Sequence, residues 1–501
     1  MSVSAIGSQA AMAVQQLVTM RSQFDDLQRQ LSTGEKSATY AGLGSDSGVT
    51  VGLNAQLAAL SSYDSTISMV STKIDLMSNA LSSMSDVGSN VLSALQQAGT
   101  TSDGSGQTVA QQTAQSSLGQ LVDLLNSQSG NDYLFSGNAT DQPSVVSADT
   151  MLNGSGSQAG LIQLISERKQ ADLGADGLGR LVISQPSSTS VSVAEDSSSP
   201  FGFKLASVSS NLTNGTVSGP SGSPASLSID LSGVPQAGDT VTLRFNLPDG
   251  TTQNLTLTAT TSSPPGSDQF TIGSDAASTA ANLQSALTTS IGNLASTSLT
   301  AASAVAASND FFNADANNPP QRVDGPPFDT ATSMVAGTAA NTVIWYTGEA
   351  GSSPALSTVT AQVDPSLTIS YGARANEDGI RQLVQNVATL AAVPVSSSDP
   401  NANNLSAALN QRLSANLNAG SQSLTGVESQ LASAQNSAKA AQTQHQQTSA
   451  TLTNFLQNIT GVSNEQVGSE LLALQTRMQA SMETTSMLFQ TSLVNYLNFG
   501  N

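Results

Sequence analysis

Few residues of this chain could do chemistry. His445 is the only histidine among 501 residues and cysteine is absent, which excludes disulfides, thiolate metal sites and cysteine nucleophiles. His445 stands between Ala441 and Thr448 at helical spacing. A histidine on such a stripe reads as a packed residue, because a triad needs its base in an accessible cleft. The phosphate-cradling G-x-x-x-x-G-K-[ST], a G-x-G-x-x-G after a strand and the zinc-binding H-E-x-x-H are all missing from the sequence. The acid clusters Asp172 to Asp176 and Asp310 to Asp324 have neither the ligand spacing of an EF-hand loop nor its terminal Glu. Trp345, beside Tyr346, reads as a core aromatic of a strand rather than a ligand platform. The sequence therefore predicts no enzyme, no cofactor and no metal; a paired-carboxylate acid–base site, as in a secreted hydrolase, stays open as an alternative that no motif favours.

Composition narrows the choice. The chain has 35 acidic and 15 basic residues, a net charge of -20 and a pI near 4.1, so nucleic acid and anionic membranes are poor partners. Charged residues are only 10% of the total, against roughly 25% in ordinary domains. Aromatics at 4%, with one Trp, speak against one large compact core and for an elongated arrangement. No apolar run of about 18 residues occurs, and the N-terminus lacks the basic and apolar regions of a secretory signal. A soluble chain is expected, one that uses another route if exported.

Both ends carry helical periodicity. Val3, Ile6, Ala10, Ala13, Leu17, Met20, Phe24, Leu27 and Leu31 alternate in steps of three and four, an a/d seam that Gly34 stops. The rhythm returns from Tyr63 through Ile67, Val70, Ile74, Met77, Leu81 and Met84 to Leu95, after a phase slip near residue 63, and a shorter helix is predicted from Thr108 to Leu125. Near the other end Leu424, Val427, Leu431, Ala434, Ala438, Ala441, His445 and Leu452 lead to Ile459, Gly461 interrupts, and a last helix carries Leu471, Leu474, Met478, Met482, Thr485, Phe489, Leu493 and Tyr496. At the helical rise the outer seams each span roughly 42 Å and the inner ones roughly 50 Å. Matching lengths predict that the first helix pairs with the last and the second with the fourth, with aligned breaks at 33 to 48 and 460 to 466. Two helices cannot enclose their own stripe. The outer pair is therefore expected to pack against neighbouring subunits, with Leu17, Met20, Phe24, Leu27, Leu31, Leu488, Phe489, Leu493, Tyr496 and Leu497 as interface residues.

Residues 141 to 400 hold 21 acids against 8 bases, and the period changes to two in Leu227 to Leu231, Val241 to Leu247 and Leu255 to Ala259. An amphipathic helix follows at Leu283 to Leu294, with further strands predicted at Thr342 to Tyr346, Val359 to Val363 and Leu367 to Tyr371. Segments 184 to 200, 209 to 226 and 308 to 328 read as loops. The fold class is thus mainly α: a discontinuous long-helix coiled-coil rod with an inserted mixed α/β or β-rich outer domain. Its expected divisions are 1–34, an inner helix; 49–140, the N-terminal half of the rod; 141–400, the insertion; 401–460, the C-terminal half; and 461–501, a second inner helix.

These ends resemble the flagellin superfamily of bacterial flagellar proteins. The likeness rests on Leu31-Ser32-Thr33-Gly34 with its following loop, on the long second helix, and on the C-terminal run Gln490 to Leu497. Asn131-Asp132-Tyr133-Leu134-Phe135-Ser136-Gly137 is similar to a hairpin of the members that join hook to filament, and Tyr371 to Glu377 with Gly379-Ile380-Arg381 is similar to a segment preceding their C-terminal rod. The resemblance implies a structural subunit outside the cell, exported with its N-terminus uncleaved through the flagellar type III channel, with help from an export chaperone. It also implies terminal helices that line an inner tube, self-association in a tubular ring, and flagellin and another hook-associated protein as neighbours, with no nucleic acid and no membrane insertion. Glu35 to Tyr40 depart from the Arg and Asp-Asp pattern usual in filament flagellins, which favours a junction adaptor over the alternative, a flagellin-type filament subunit. Tyr133, Leu134 and Phe135 are the candidate junction hairpin; a role capping the rod's own core is equally open.

Overall fold

The computed structural model describes residues 3–97, 108–351, 353–395 and 399–497. The protein is mainly helical, with a β-rich insertion built of small sheets. Its helices are α1 (Val3–Thr33), α2 (Ser47–Gln97), α3 (Val109–Leu125), α4 (Ala148–Asn153), α5 (Leu161–Leu173), α6 (Ala276–Leu294), α7 (Thr300–Asn313), α8 (Asp378–Ala392), α9 (Ala402–Thr460) and α10 (Asn464–Leu497). The chain divides into two compact units, and α2 and α9 each contribute to both. A terminal unit takes Met1–Met69, Gln362–Thr368 and Asn436–Asn501; a central unit takes Val70–Ala361 and Ile369–Gln435.

In the terminal unit α1 packs along α10. The seam of α10 passes through Val467, Leu471, Leu474, Met478, Ser481 and Thr485, all buried or half-buried. It leaves the predicted line at Met482 and Phe489, which are exposed: the strict three-four alternation selects Ser481, one residue earlier. The two helix breaks lie side by side. Val462 N–H donates to Gly34 O (3.0 Å) and Lys36 N–H to Thr460 O (2.7 Å), while Lys36 Nζ donates to Ile459 O at 2.7 Å. A cation on the last carbonyls of α9 also suits the negative end of its dipole. Gly34 has φ +73° and a Cβ at Gly461 would sit 2.5 Å from Gln457 O, so both stops require glycine.

In the central unit α2 and α9 are joined by Asn410 Nδ2 donating to Leu95 O (3.2 Å) and Gln435 Nε2 to Asp75 Oδ1 (3.2 Å). The stripe Val70, Ile74, Met77, Leu81, Met84, Val91 and Leu95 is buried, as are Leu405, Leu409, Leu413, Leu417, Leu424 and Leu431 of α9. α8 lies against α3, and at Gly379 its first turn meets α9 so closely that a Cβ would stand 2.6 Å from Leu424 N.

Two four-stranded sheets share one core with α6. One has the order Leu181–Ser187, Ser190–Glu195, Ser226–Leu231, Gly215–Ser221, antiparallel throughout. The other runs Gln269–Thr271, Thr252–Thr260, Thr240–Asn246, Lys204–Ser210, with only the first pair parallel. Val191, Val193, Ile229, Leu243, Phe245 and Leu257 meet Leu283, Leu287 and Ile291 of α6. The segments 184 to 200 and 209 to 226, read as loops, therefore contain strands. Their outward positions are hydroxyl residues, and pairs such as Ser218 with Ser228 (3.0 Å) replace the apolar alternation that betrays a strand. Segment 308 to 328 likewise holds the end of α7 and the strand Gln321–Val323. The strand predicted at Thr342 to Tyr346 forms only isolated bridges, Ala159 with Thr342 and Val145 with Tyr346. The insertion also reaches the helices more firmly than periodicity suggested: Arg412 of α9 pairs at 2.8 Å with Asp249, whose side chain is almost wholly buried, in the Pro248-Asp249-Gly250 turn.

Candidate functional site

The exposed face of the terminal helices is the first candidate. On α1, Leu17, Met20, Phe24 and Leu27 are half-buried and Leu31 is exposed. On α10, Leu488 and Phe489 are exposed, the latter at 54%. The side chains of Leu493, Tyr496 and Leu497, like those of Val3, Ile6 and Ala10, lie outside the described residues. Further apolar side chains stand in solvent outside the seam: Met12, Val14 and Val18 on α1, and Leu472, Met482 and Met487 on α10. α1 has no buried residue among its described side chains. The helix thus spends its apolar stripe on one partner and still exposes methionines and valines.

The second candidate is the hairpin of Gln128–Ser129 and Asp132–Tyr133, turned at Gly130, which has φ +67°. Lys73 of α2 holds it through a 2.6 Å ion pair to Asp132, and the hydrogen bond with that ammonium keeps the Asp132 carboxyl below the usual range. Leu134 and Phe135 are buried and Tyr133 is half-buried, so Gln128, Asp132, Tyr133 and the turn carry what the hairpin shows to solvent. Behind it the chain is knotted to a distant segment. Ala375 N–H donates to Phe135 O (2.9 Å), Glu349 N–H to Ser136 O (2.8 Å) and Asn138 N–H to Glu349 Oε2 (2.8 Å), and Ser136 bridges Arg374. Arg374 in turn donates to Gly351 O (3.0 Å) and Ser353 O. Gly137 has φ +64°, and a Cβ there would meet Glu349 Oε2 at 2.4 Å. The two segments that carry the junction-type resemblance, 131 to 137 and 371 to 377, are thus neighbours in space. Spacing along the chain gave no signal of this. Within the second segment Glu377 is pushed up to about 7 by burial.

The residues with chemical potential are occupied structurally. His445 has Nδ1 3.0 Å from Asp64 Oδ1 and Nε2 3.4 Å from Asp364 Oδ2. The carboxylates sit at opposite ring nitrogens, so one ion cannot engage both through the ring. Asp172 is fully buried against Arg168 (2.8 Å) and Gly202 N–H (2.8 Å), with its carboxyl raised by burial. Asp310 accepts from Gln321 N–H and Asp315 from Asn317 and Asn318 N–H. Trp345 is buried and donates Nε1–H to Phe312 O (3.0 Å). Among the described residues no group of three or more His, Cys, Asp or Glu is placed to hold a metal, and no helix is long and apolar enough to cross a membrane.

The chain thus combines long paired helices at both ends, with exposed apolar side chains, and an inserted β-rich region. Residues 7–140, which run from α1 through the hairpin, match the bacterial flagellin N-terminal helical region. The match covers just over a quarter of the chain and supports kinship with the flagellin superfamily and a role as a structural subunit of the flagellum. No curated relative matches the chain.

Proposed function

We propose that the chain is an adaptor between hook and filament, similar in role to hook-associated protein 3. The observation that carries this reading is the joining of Tyr133 to Gly137 with Tyr371 to Glu377 in one hydrogen-bonded knot, since these two segments resemble junction-type proteins. In this reading α1 and α10 assemble into a tubular ring whose lattice flagellin continues on one side, and another hook-associated protein meets the other side. Divisions 1–34 and 461–501 form the inner tube, 49–140 and 401–460 the next shell, and 141–400 the outer face, after export through the type III channel with a chaperone. Cells lacking the protein are expected to keep their hooks and shed flagellin into the medium. Filaments that remain attached would overturn the reading. The alternative, a flagellin-type filament subunit, draws on the match of residues 7–140 to the flagellin N-terminal region; counting copies per purified flagellum separates the two, a closed ring giving a small fixed number and an open filament a number that grows with its length.

A further inference from the structure

His445 is only 2% exposed and joins three elements of the terminal unit: α9, α2 through Asp64, and the tip of the hairpin formed by Thr360–Asp364 and Leu367–Ser370, whose residues Gln362–Thr368 belong to this unit. Tyr63 of α2 stacks beside the ring, its centroid 6.0 Å away at 44°. The position coincides with the phase slip of α2, where Leu57, Leu60 and Tyr63 follow in two steps of three. Such a slip turns the stripe away from its partner. Burial registers it: Leu57, Leu60 and Tyr63 are half-buried and Ile67 is the first buried stripe residue, while on α9 Ala438, Ala441 and His445 are buried and Thr448 is exposed. The hairpin tip supplies a third element at the point where burial of the helix pair's stripe begins to fail.

The proton on the ring decides whether this arrangement is satisfied. A neutral imidazole has one N–H and one lone pair, whereas carboxylates only accept. With Asp64 at Nδ1 and Asp364 at Nε2, the neutral ring bonds one carboxylate and turns a lone pair on the other. The imidazolium donates to both, and charge-assisted bonds are about twice as strong as neutral ones. Asp364 is prepared for this: Ser366 gives it a backbone N–H (3.1 Å) and a hydroxyl (3.0 Å), and these bonds, with His445, keep its carboxyl below the usual range.

We infer that His445 is a protonation-controlled pin, which holds residues 362 to 368 against α2 and α9 when the imidazole is charged and releases them when it is neutral. The titratable groups facing the ring are Asp64 and Tyr63 from α2 and Asp364 from the hairpin. The sign follows for each partner. Asp364, with its lowered value, favours the pinned state above the ordinary aspartate range and loses that contribution as pH falls below about 4. The ring contributes while it carries its proton, because only the imidazolium donates to both carboxylates. The tip is therefore fastened while the ring is protonated and freed once it is neutral, which makes the third element of this helix layer conditional on its surroundings.

Amide hydrogen exchange of the full-length chain, corrected for intrinsic rates, tests this at pH 5.5 and 8.5. Protection of residues 362 to 368 is expected to fall roughly tenfold at the higher pH, and in His445→Gln it is expected to be low at both. Equal protection in the parent at the two pH values, or an undiminished fall in His445→Gln, overturns the inference. Should circular dichroism show that His445→Gln fails to fold, Asp364→Asn decides, since it leaves the ring with Asp64. Low protection at both pH values supports the pin, and a parent-sized pH response refutes it.

Discussion

Helix α1 and helix α8 are built from similar residues and come to opposite ends. Twelve of the fifteen residues of α8 are buried, including Gln385, Asn386 and Thr389, whereas α1, about twice as long, has none among its described side chains. α8 is enclosed by α3, α5 and α7, but α1 has one strong neighbour, α10. A central unit that satisfies its helices internally sits in one chain with a terminal unit that does not. A sequence can thus write a complete stripe on a helix that its own chain leaves half-exposed.

Four measurements break or sharpen this contrast. Limited proteolysis should remove roughly the first and last 40 residues well before any cut appears between 181 and 313, with rates differing by about a thousandfold; simultaneous loss of both regions would mean the terminal helices are held as firmly as the sheets. Within the hairpin, Phe135→Ser is expected to cost ~3–5 kcal/mol in a denaturant melt, as for a buried phenylalanine, while Tyr133→Ser stays below ~1 kcal/mol and acts on filament attachment, scored by motility and shed flagellin. A Tyr133→Ser chain with normal attachment would leave the hairpin a purely internal role. For Glu377, pushed up to about 7 by burial, the unfolded carboxyl ionises first, so stability declines as pH rises from about 4.5 to 7 and the cost stays in full above that. Glu377→Gln should then gain ~1–3 kcal/mol over the parent at pH 8 and little at pH 5, and an equal melting shift at both pH values would contradict that burial. The smallest effect belongs to Phe489→Asp on exposed α10, within ~0.5 kcal/mol of the parent as a monomer yet deficient in polymerisation followed by light scattering; normal assembly would remove Phe489 from the interface.

What the sequence disclosed follows the same contrast. Seams such as Val70 to Leu95 were legible because a long two-sided helix repeats its signal over many turns. α7 escaped because Ala301, Ala302, Ala304, Val305, Ala307, Phe311 and Phe312 are buried nearly all round, and a helix without a polar face has no period to read. The Ser-rich strands escaped for the converse reason, hydroxyls standing where alternation needs contrast. Of the candidate site, the spacing of Leu17, Met20, Phe24 and Leu27 announced an apolar face, yet nothing in the chain order placed Phe135 beside Ala375 or Asp364 beside His445. Such juxtapositions arise only after the intervening chain has folded.

The bond from Ala375 to Phe135 also sets an order of events. Closing a loop of about 240 residues costs entropy that grows only slowly with length, but the closure must wait until both ends exist and meet, and non-local contacts of this kind slow folding. The stretch from 7 to 140 cannot finish its own fold while residue 375 is still unmade or still in transit. A chain handed on end first would arrive with its leading helices unpaired, the hairpin closing when residues 374 and 375 arrive and α2 and α1 waiting longer still, for α9 and α10.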